Sequence, residues 1–267
     1  MMPGRESMVS RSSTREEWQP RSMDERKPDI SIVIPVYNDE TTIRHVVEKA
    51  IEVLRDAARQ GEIIVVDDGS PDRSGSIGDE LAKTHALVRV AHHASNLGYG
   101  AAFKTGVAHC RFEWICMVDG DNEYDVSDLK RMLALRQYYP LIIAFRYRKL
   151  YSATRIFVSH VYNAVLRFLF RSPFRDVSTG IRIVHRSILD EIDILSDSPF
   201  VGAELAIKAM LRGFPVGEVG IQTFPRTFGR GSATSFSNIV ATIRDIYRMR
   251  KEVFSPEYSL PEGRGRS

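Results

Sequence analysis

Two cysteines in 267 residues, Cys110 and Cys116, give the chain no disulfide framework, and the five residues between them match no common zinc spacing. Buried, reduced thiols in a cytosolic protein are expected. No apolar run approaches the ~20 residues that a membrane-crossing helix needs. The opening "MMPGRESMVSRSSTREEWQPRSMDERKPD" lacks the hydrophobic core of a secretory signal, so export is not expected. Net charge is scarce too: +3 is too little to argue for nucleic acid. What is present, 43% hydrophobic and 27% charged residues, suits one large globular domain. Residues 1–28 and 255–267 are polar and poor in aliphatics, and are expected to be flexible tails.

Between the tails, apolar β-branched runs alternate with helical periods. "DISIVIPVY" has the density of a central strand. A helix follows, with Ile43, Val46, Val47, Ala50, Ile51 and Leu54 at helical spacing, Asn38 or Asp39 as its N-cap and Gly61 as its stop. "EIIVVDD", "LVRVAHH" and "EWICMVDGD" are three more strands. The alternation predicts an α/β fold: a mostly parallel, Rossmann-like sheet with helices on both faces. Ligands of such sheets bind beyond the carboxyl ends of the strands. Three predicted strand ends, "PVYND", "VDDGS" and "VDGDNE", all exchange apolar for polar and acidic residues there.

The last of these crowds Asp119, Asp121, Glu123 and Asp125 together, at a repulsive cost unless something positive is bound. Asp119 and Asp121 converge if the chain turns at Gly120. A hard divalent cation, Mg²⁺ or Mn²⁺, takes oxygen ligands at about 2.1 Å, usually one or two from protein and the rest from water and phosphate. Glu123 is placed to add a third oxygen or to orient a metal-bound water. The basic stretch from Arg146 to Arg175 suits the other end of an anionic ligand.

In this order, "SIVIPVYNDETTI", "EIIVVDDGSPDRS", "NLGYGAAFKTGV" and "DGDNEY" closely resemble family 2 glycosyltransferases of the GT-A fold, over residues 29–235. The resemblance implies that Pro35, Tyr37, Asn38 and Glu40 line the base and ribose of a nucleotide-diphosphate sugar. Asp67 or Asp68 would touch the base or ribose, and Asn96 with Gly98 would form a loop beside the sugar nucleotide. Asp119 and Asp121 would hold the metal on the diphosphate.

The acceptor follows from the later sequence. A sugar hydroxyl needs a general base, whereas a phosphate monoester is already ionised and needs positive charge to place it. The Glu-Asp pair of many hydroxyl-directed members is absent: Glu204 is followed by Leu205. A helix is expected over 153–171, with Arg155, Ser159 and Asn163 on one face and an unusually wide apolar remainder, as in a helix lying in a membrane interface. The spacing resembles the polyprenyl-phosphate branch of the family, typified by dolichyl-phosphate mannose synthases. By that resemblance Arg146, Arg155 and Ser159 hold the lipid phosphate. "RDVSTGIRIVHRSIL" supplies Asp176, Gly180 and Arg182 of a shared segment, with Thr179 and Ile181 as departures. "FPRTFGRGSATSFSNI" supplies a loop over the site, with Arg226, or failing that Arg230, facing phosphate and with Gly229 and Gly231 as pivots. Glu123 stands where relatives often carry Gln.

The expected protein is an inverting, metal-dependent hexosyltransferase that uses a polyprenyl phosphate, peripheral on the cytoplasmic face of a membrane through residues 153–171 and the helix at 236–254. The apolar excess at Phe168–Phe170 would serve lipid, a homodimer or a membrane-protein partner. Two alternatives stand beside it: a family 2 enzyme acting on a sugar hydroxyl with Glu204 as base, and a non-catalytic nucleotide-sugar-binding protein.

Overall fold

Alternate residues of the first two strands face opposite ways, and both sets are apolar, so the sheet needs cover on both faces. A computed structural model, describing residues 27–147, 153–224, 236–255 and Tyr258, shows that cover. Its elements are β1 (Ile30–Val36), α1 (Ile43–Ala57), β2 (Gly61–Asp67), α2 (Ser74–Thr84), β3 (Val88–His92), α3 (Tyr99–His109), β4 (Trp114–Met117), α4 (Asp128–Leu133), β5 (Leu141–Arg146), α5 (Ala153–Phe170), β6 (Arg182–His185), α6 (Arg186–Glu191), α7 (Val201–Leu211), β7 (Val216–Ile221) and α8 (Phe236–Val253). Ile30, Ile32 and Ile34 pack with α1, α2 and α4 in one core. Val33, Ile64 and Val66 pack with α3, α5, α6, α7 and α8 in the other.

The sheet runs β3-β2-β1-β4-β6-β5-β7, parallel except for β6, which is antiparallel to both β4 and β5. The chain leaves β1 for β2 and β3 on one side and returns to β4 on the other. The carboxyl ends of β1 and β4 therefore flank a topological switch point, the place where such sheets bind ligands. Pro35 is tolerated in this central strand because the β1–β4 ladder ends at Val33 with Met117, so no backbone N–H is needed beyond it on that side.

Two expected details of α1 are corrected. Its N-cap residue is Thr42, not Asn38 or Asp39. Asn38 takes a left-handed turn (φ 60°), and the Asp39 carbonyl accepts from the N–H groups of Thr42 and Ile43. Gly61 opens β2 and does not stop the helix, which ends at Ala57.

Helix α5 ends at Phe170 because Arg171 turns left-handed (φ 53°). It buries Asn163, Leu166 and Phe170 but exposes Phe157, Val158, Val161, Val165 and Phe168, the last 86% exposed. Among the described residues, no helix is long and apolar enough to cross a membrane. Cys110 and Cys116 are both buried and unpaired with each other, and burial pushes the Cys110 thiol up to about 12.

Candidate active site

The three polar strand ends lie side by side and are tied to one another. After β1, Asn38 N–H donates to Ser70 Oγ (3.4 Å), Asp39 N–H to Ser74 Oγ (2.8 Å) and Glu40 N–H to Asp72 (3.1 Å), in the loop that follows β2 and the first residue of α2. Glu40 in turn accepts from Arg73 N–H. After β4, Gly120 N–H donates to the Pro35 carbonyl, and Thr42 Oγ1 donates to the Gly120 carbonyl at 2.7 Å. Tyr37 is exposed at this edge, whereas Pro35 is buried within β1 and meets the site through its carbonyl.

The two aspartates ending β2 have different partners. Asp67 accepts from Ser70 N–H and His92 Nδ1; burial works to raise its pKa, but these bonds outweigh it and hold the carboxyl below its usual range. Asp68 reaches across to the next loop, accepting from Leu97 N–H (2.9 Å) and Gly98 N–H (2.9 Å), and from His93 Nδ1 (2.7 Å). Asn96 is exposed beside it. Gly98 has φ 99°, open to glycine and strained for other residues, and from it the chain enters α3.

Asp119 and Asp121 flank the switch point. Tyr99, the first residue of α3, donates its hydroxyl to Asp119 Oδ1 at 2.6 Å. On the other side of the carboxylate lies Gly180, where a Cβ would come within 1.7 Å of Oδ2. Burial, then the negative charges of Asp121 and Glu123, push Asp119 up to about 7 against the opposing pull of Tyr99 and Arg182. The Arg182 guanidinium is itself held against Gly202, where no side chain would fit. Asp121 Oδ1 accepts from Glu123 N–H, closing a tight turn that includes Asn122 at φ 57°.

Glu123 does not join a three-carboxylate cage: among the described residues, no three His, Cys, Asp or Glu side chains are gathered to hold a metal. Its buried carboxylate faces Arg155 Nη1 of α5 at 3.6 Å. Two carboxylates, one of them held near neutrality by its surroundings, fit a cation that completes its shell with diphosphate and water.

Around this centre, Arg146 at the end of β5 is buried against Asp176 (2.7 Å) and donates to Ser178 Oγ (2.6 Å). Ser159 lies one turn after Arg155, and Asn163, one turn further, ties α5 to the Val177 backbone. Arg226 and Arg230, with Gly229 and Gly231, lie outside the described residues. The segment leading to them starts beside the acidic loop, since Phe224 N–H donates to the Glu123 carbonyl at 3.0 Å. Glu204 is committed elsewhere. Fully buried, it accepts from the N–H groups of Leu195 and Ser196 and pairs with Lys208 at 2.8 Å.

Within "NLGYGAAFKTGV" the resemblance marks Asn96 and Gly98 but not Tyr99, which directly follows the glycine.

Residues 31–193 match the profile described as Glycosyl transferase family 2. The chain is 31% identical over 226 residues to the polyprenol monophosphomannose synthase of Mycolicibacterium smegmatis, covering 78% of this chain and 82% of that protein. A dolichyl-phosphate beta-glucosyltransferase of Trichomonas vaginalis is 34% identical over 104 residues, 37% of this chain and 32% of that protein. Among solved structures, glucosyl-3-phosphoglycerate synthase from Mycobacterium tuberculosis, in complex with Mn²⁺, uridine diphosphate and phosphoglyceric acid, aligns with a TM-score of 0.65. That alignment covers 88% of this chain and 80% of the other at 17% identity, a likeness of fold, the GT-A fold.

Proposed function

We infer, from the premise that the chain belongs to glycosyl transferase family 2 and is a glycosyltransferase, that it moves a hexosyl unit from a nucleotide-diphosphate sugar to a polyprenyl phosphate with inversion. One observation carries the donor half of this reading. Asp119 and Asp121 lie close enough at the switch point of the sheet for the charge of one to raise the other, with the β1 and β2 loops beside them. They would hold Mg²⁺ or Mn²⁺, which supplies charge stabilisation for the departing diphosphate. The β1 and β2 loops, with Tyr37, Asn38, Glu40, Asp67 and Asn96, would surround base, ribose and sugar.

An ionised phosphate acceptor needs no protein base, which agrees with the engagement of Glu204. Arg155 and Arg146 would place that phosphate for in-line attack, with Ser159 and Arg226 assisting. The exposed apolar stripe of α5 would lie at the lipid surface, so that the enzyme works peripherally on the cytoplasmic face of a membrane.

Purified protein given a panel of nucleotide sugars, Mn²⁺ and a short polyprenyl phosphate should yield a lipid-linked sugar. No such product from any donor overturns the reading. Arg155→Ala should raise KM for the polyprenyl phosphate about 10-fold or more, as loss of a charged hydrogen bond does, and leave donor binding unchanged. Unchanged acceptor kinetics would remove Arg155 from the acceptor site.

The raised Asp119 also sets a pH dependence. A proton and the cation compete for this carboxylate, so Mn²⁺ affinity should fall as pH drops through about 7. The sign for the metal-free fold is the reverse of the usual carboxylate case. The folded state keeps a proton that the unfolded chain, titrating near the ordinary 3.8, has already released, so stability falls as pH rises from there to about 7. Calorimetric Mn²⁺ titrations in buffers of different ionisation enthalpy would detect proton release below pH 7. Proton-free binding at pH 6 would contradict it.

A further inference from the structure

The direction of Tyr99 is fixed from several sides. Leu97 and Gly98, the two residues before it, donate their N–H groups to the two oxygens of Asp68, each at 2.9 Å. Asp68 is gripped by His93 Nδ1 at 2.7 Å, and His93 Nε2 meets Thr105 Oγ1 of α3 at 2.9 Å. With Nδ1 donating to the carboxylate, Nε2 of a neutral imidazole accepts the threonine hydroxyl, so each partner has a role. On the far side, Gly100 N–H donates to the Asp197 carbonyl at 2.8 Å. The loop is thereby clamped between β2, β3 and its own helix, and the tyrosine ring leaves it toward Asp119.

An aspartate side chain turns freely about two bonds, and a cation held by two carboxylates depends on where each oxygen points. Asp119 has its rotation closed from both sides, by the Tyr99 hydroxyl on Oδ1 and by the bare Gly180 backbone against Oδ2. We propose that Tyr99 is a positioning residue for the metal ion. Its hydroxyl, aimed by the Asp68–His93–Thr105 brace, fixes the orientation in which Asp119 meets the cation. This rests on the reading that Asp119 and Asp121 bind that cation. It also gives Asp68 a role different from reading the base: its oxygens are spent on holding the loop that carries Tyr99.

The test is Mn²⁺ binding, followed by the electron paramagnetic resonance of free Mn²⁺, alone and with UDP or GDP, on the full chain. Tyr99→Phe keeps the ring and removes only the hydroxyl. Partners that orient a metal ligand typically contribute 10–100-fold to affinity, so the dissociation constant should rise about 10-fold or more, with the melting temperature of the metal-free protein unchanged. A merely structural role would lower the melting temperature and leave the affinity alone. Affinity within twofold of the parent overturns the proposal while leaving the metal reading intact. A parent protein that binds no Mn²⁺ with either nucleotide overturns both. His93→Leu and His93→Asn provide a second route should Tyr99→Phe fail to fold. The leucine variant, losing the grip on Asp68, should weaken Mn²⁺, and the asparagine variant, whose amide can replace the Nδ1 donor, should restore it. Equal affinities for the two overturn the brace.

Discussion

Asp121→Ala is expected to lower turnover about 1,000-fold while leaving the protein folded. A cation on a leaving diphosphate contributes several kcal/mol to the transition state, and 1.36 kcal/mol is a factor of ten in rate. The half-buried Asp121 side chain accepts a backbone bond from Glu123 within its own turn. Asp125 is the matched control. It is another carboxylate only four residues away, but it is exposed, and it accepts from Ser127 N–H at 2.8 Å in an ordinary turn before α4. Asp125→Ala should keep turnover within about twofold, as a substitution away from the site does. Parallel measurements of lipid-linked product and Mn²⁺ binding decide the matter, and comparable activity in the two variants would remove the ion from the mechanism.

Lys208→Met should destabilise the fold by about 3–5 kcal/mol, the usual cost of leaving buried charge uncompensated. The lysine is 0% exposed, and its ammonium sits 2.8 Å from Glu204 and 2.7 Å from Glu252 while donating to the Asp193 carbonyl at 2.7 Å. It is the joint between α7 and α8. At roughly 2–4 °C per kcal/mol for a chain of this size, the melting temperature should fall by about 10 °C. Adding Glu204→Gln to Lys208→Met should recover part of the loss, because a carboxylate no longer stands alone. Glu204→Gln by itself should cost stability without slowing turnover per folded molecule. A slowed chemical step with unchanged melting would instead restore Glu204 as a base and the hydroxyl acceptor with it.

Much of the candidate site at the switch point is legible in the sequence because strand ends announce themselves. A β-branched run that breaks into Asp, Asn and Gly is a local pattern, and three such breaks on adjacent parallel strands must share an edge. The two carboxylates of the proposed metal site are legible for the same reason. What could not be read is who faces whom across the site. Glu123 looks like a third ligand in sequence, and only the placement of α5 turns it toward Arg155. Tyr99 takes its direction from the left-handed turn at Gly98, and Gly180 lies beside Asp119 because the chain returns to the same edge just before β6, which runs away from it. Thr42 displaced the expected caps of α1 because Asn38 and Asp39 are used by the loops that close over the switch point.

The reversed strand β6 has a consequence for how such a protein diversifies. It is the seam between a first half, β1 to β4, that carries the loops proposed to hold the nucleotide and a second half, β5 and β7 with α5, that carries Arg146 and Arg155. Among the described residues, one ladder of four paired positions, Trp114 with His185 through Met117 with Arg182, joins β4 to β6 across that seam. On the proposed function, a graft that exchanges the second half between related enzymes, keeping Gly180 and Arg182 in register, would therefore transplant the choice of recipient while the choice of activated sugar stayed behind.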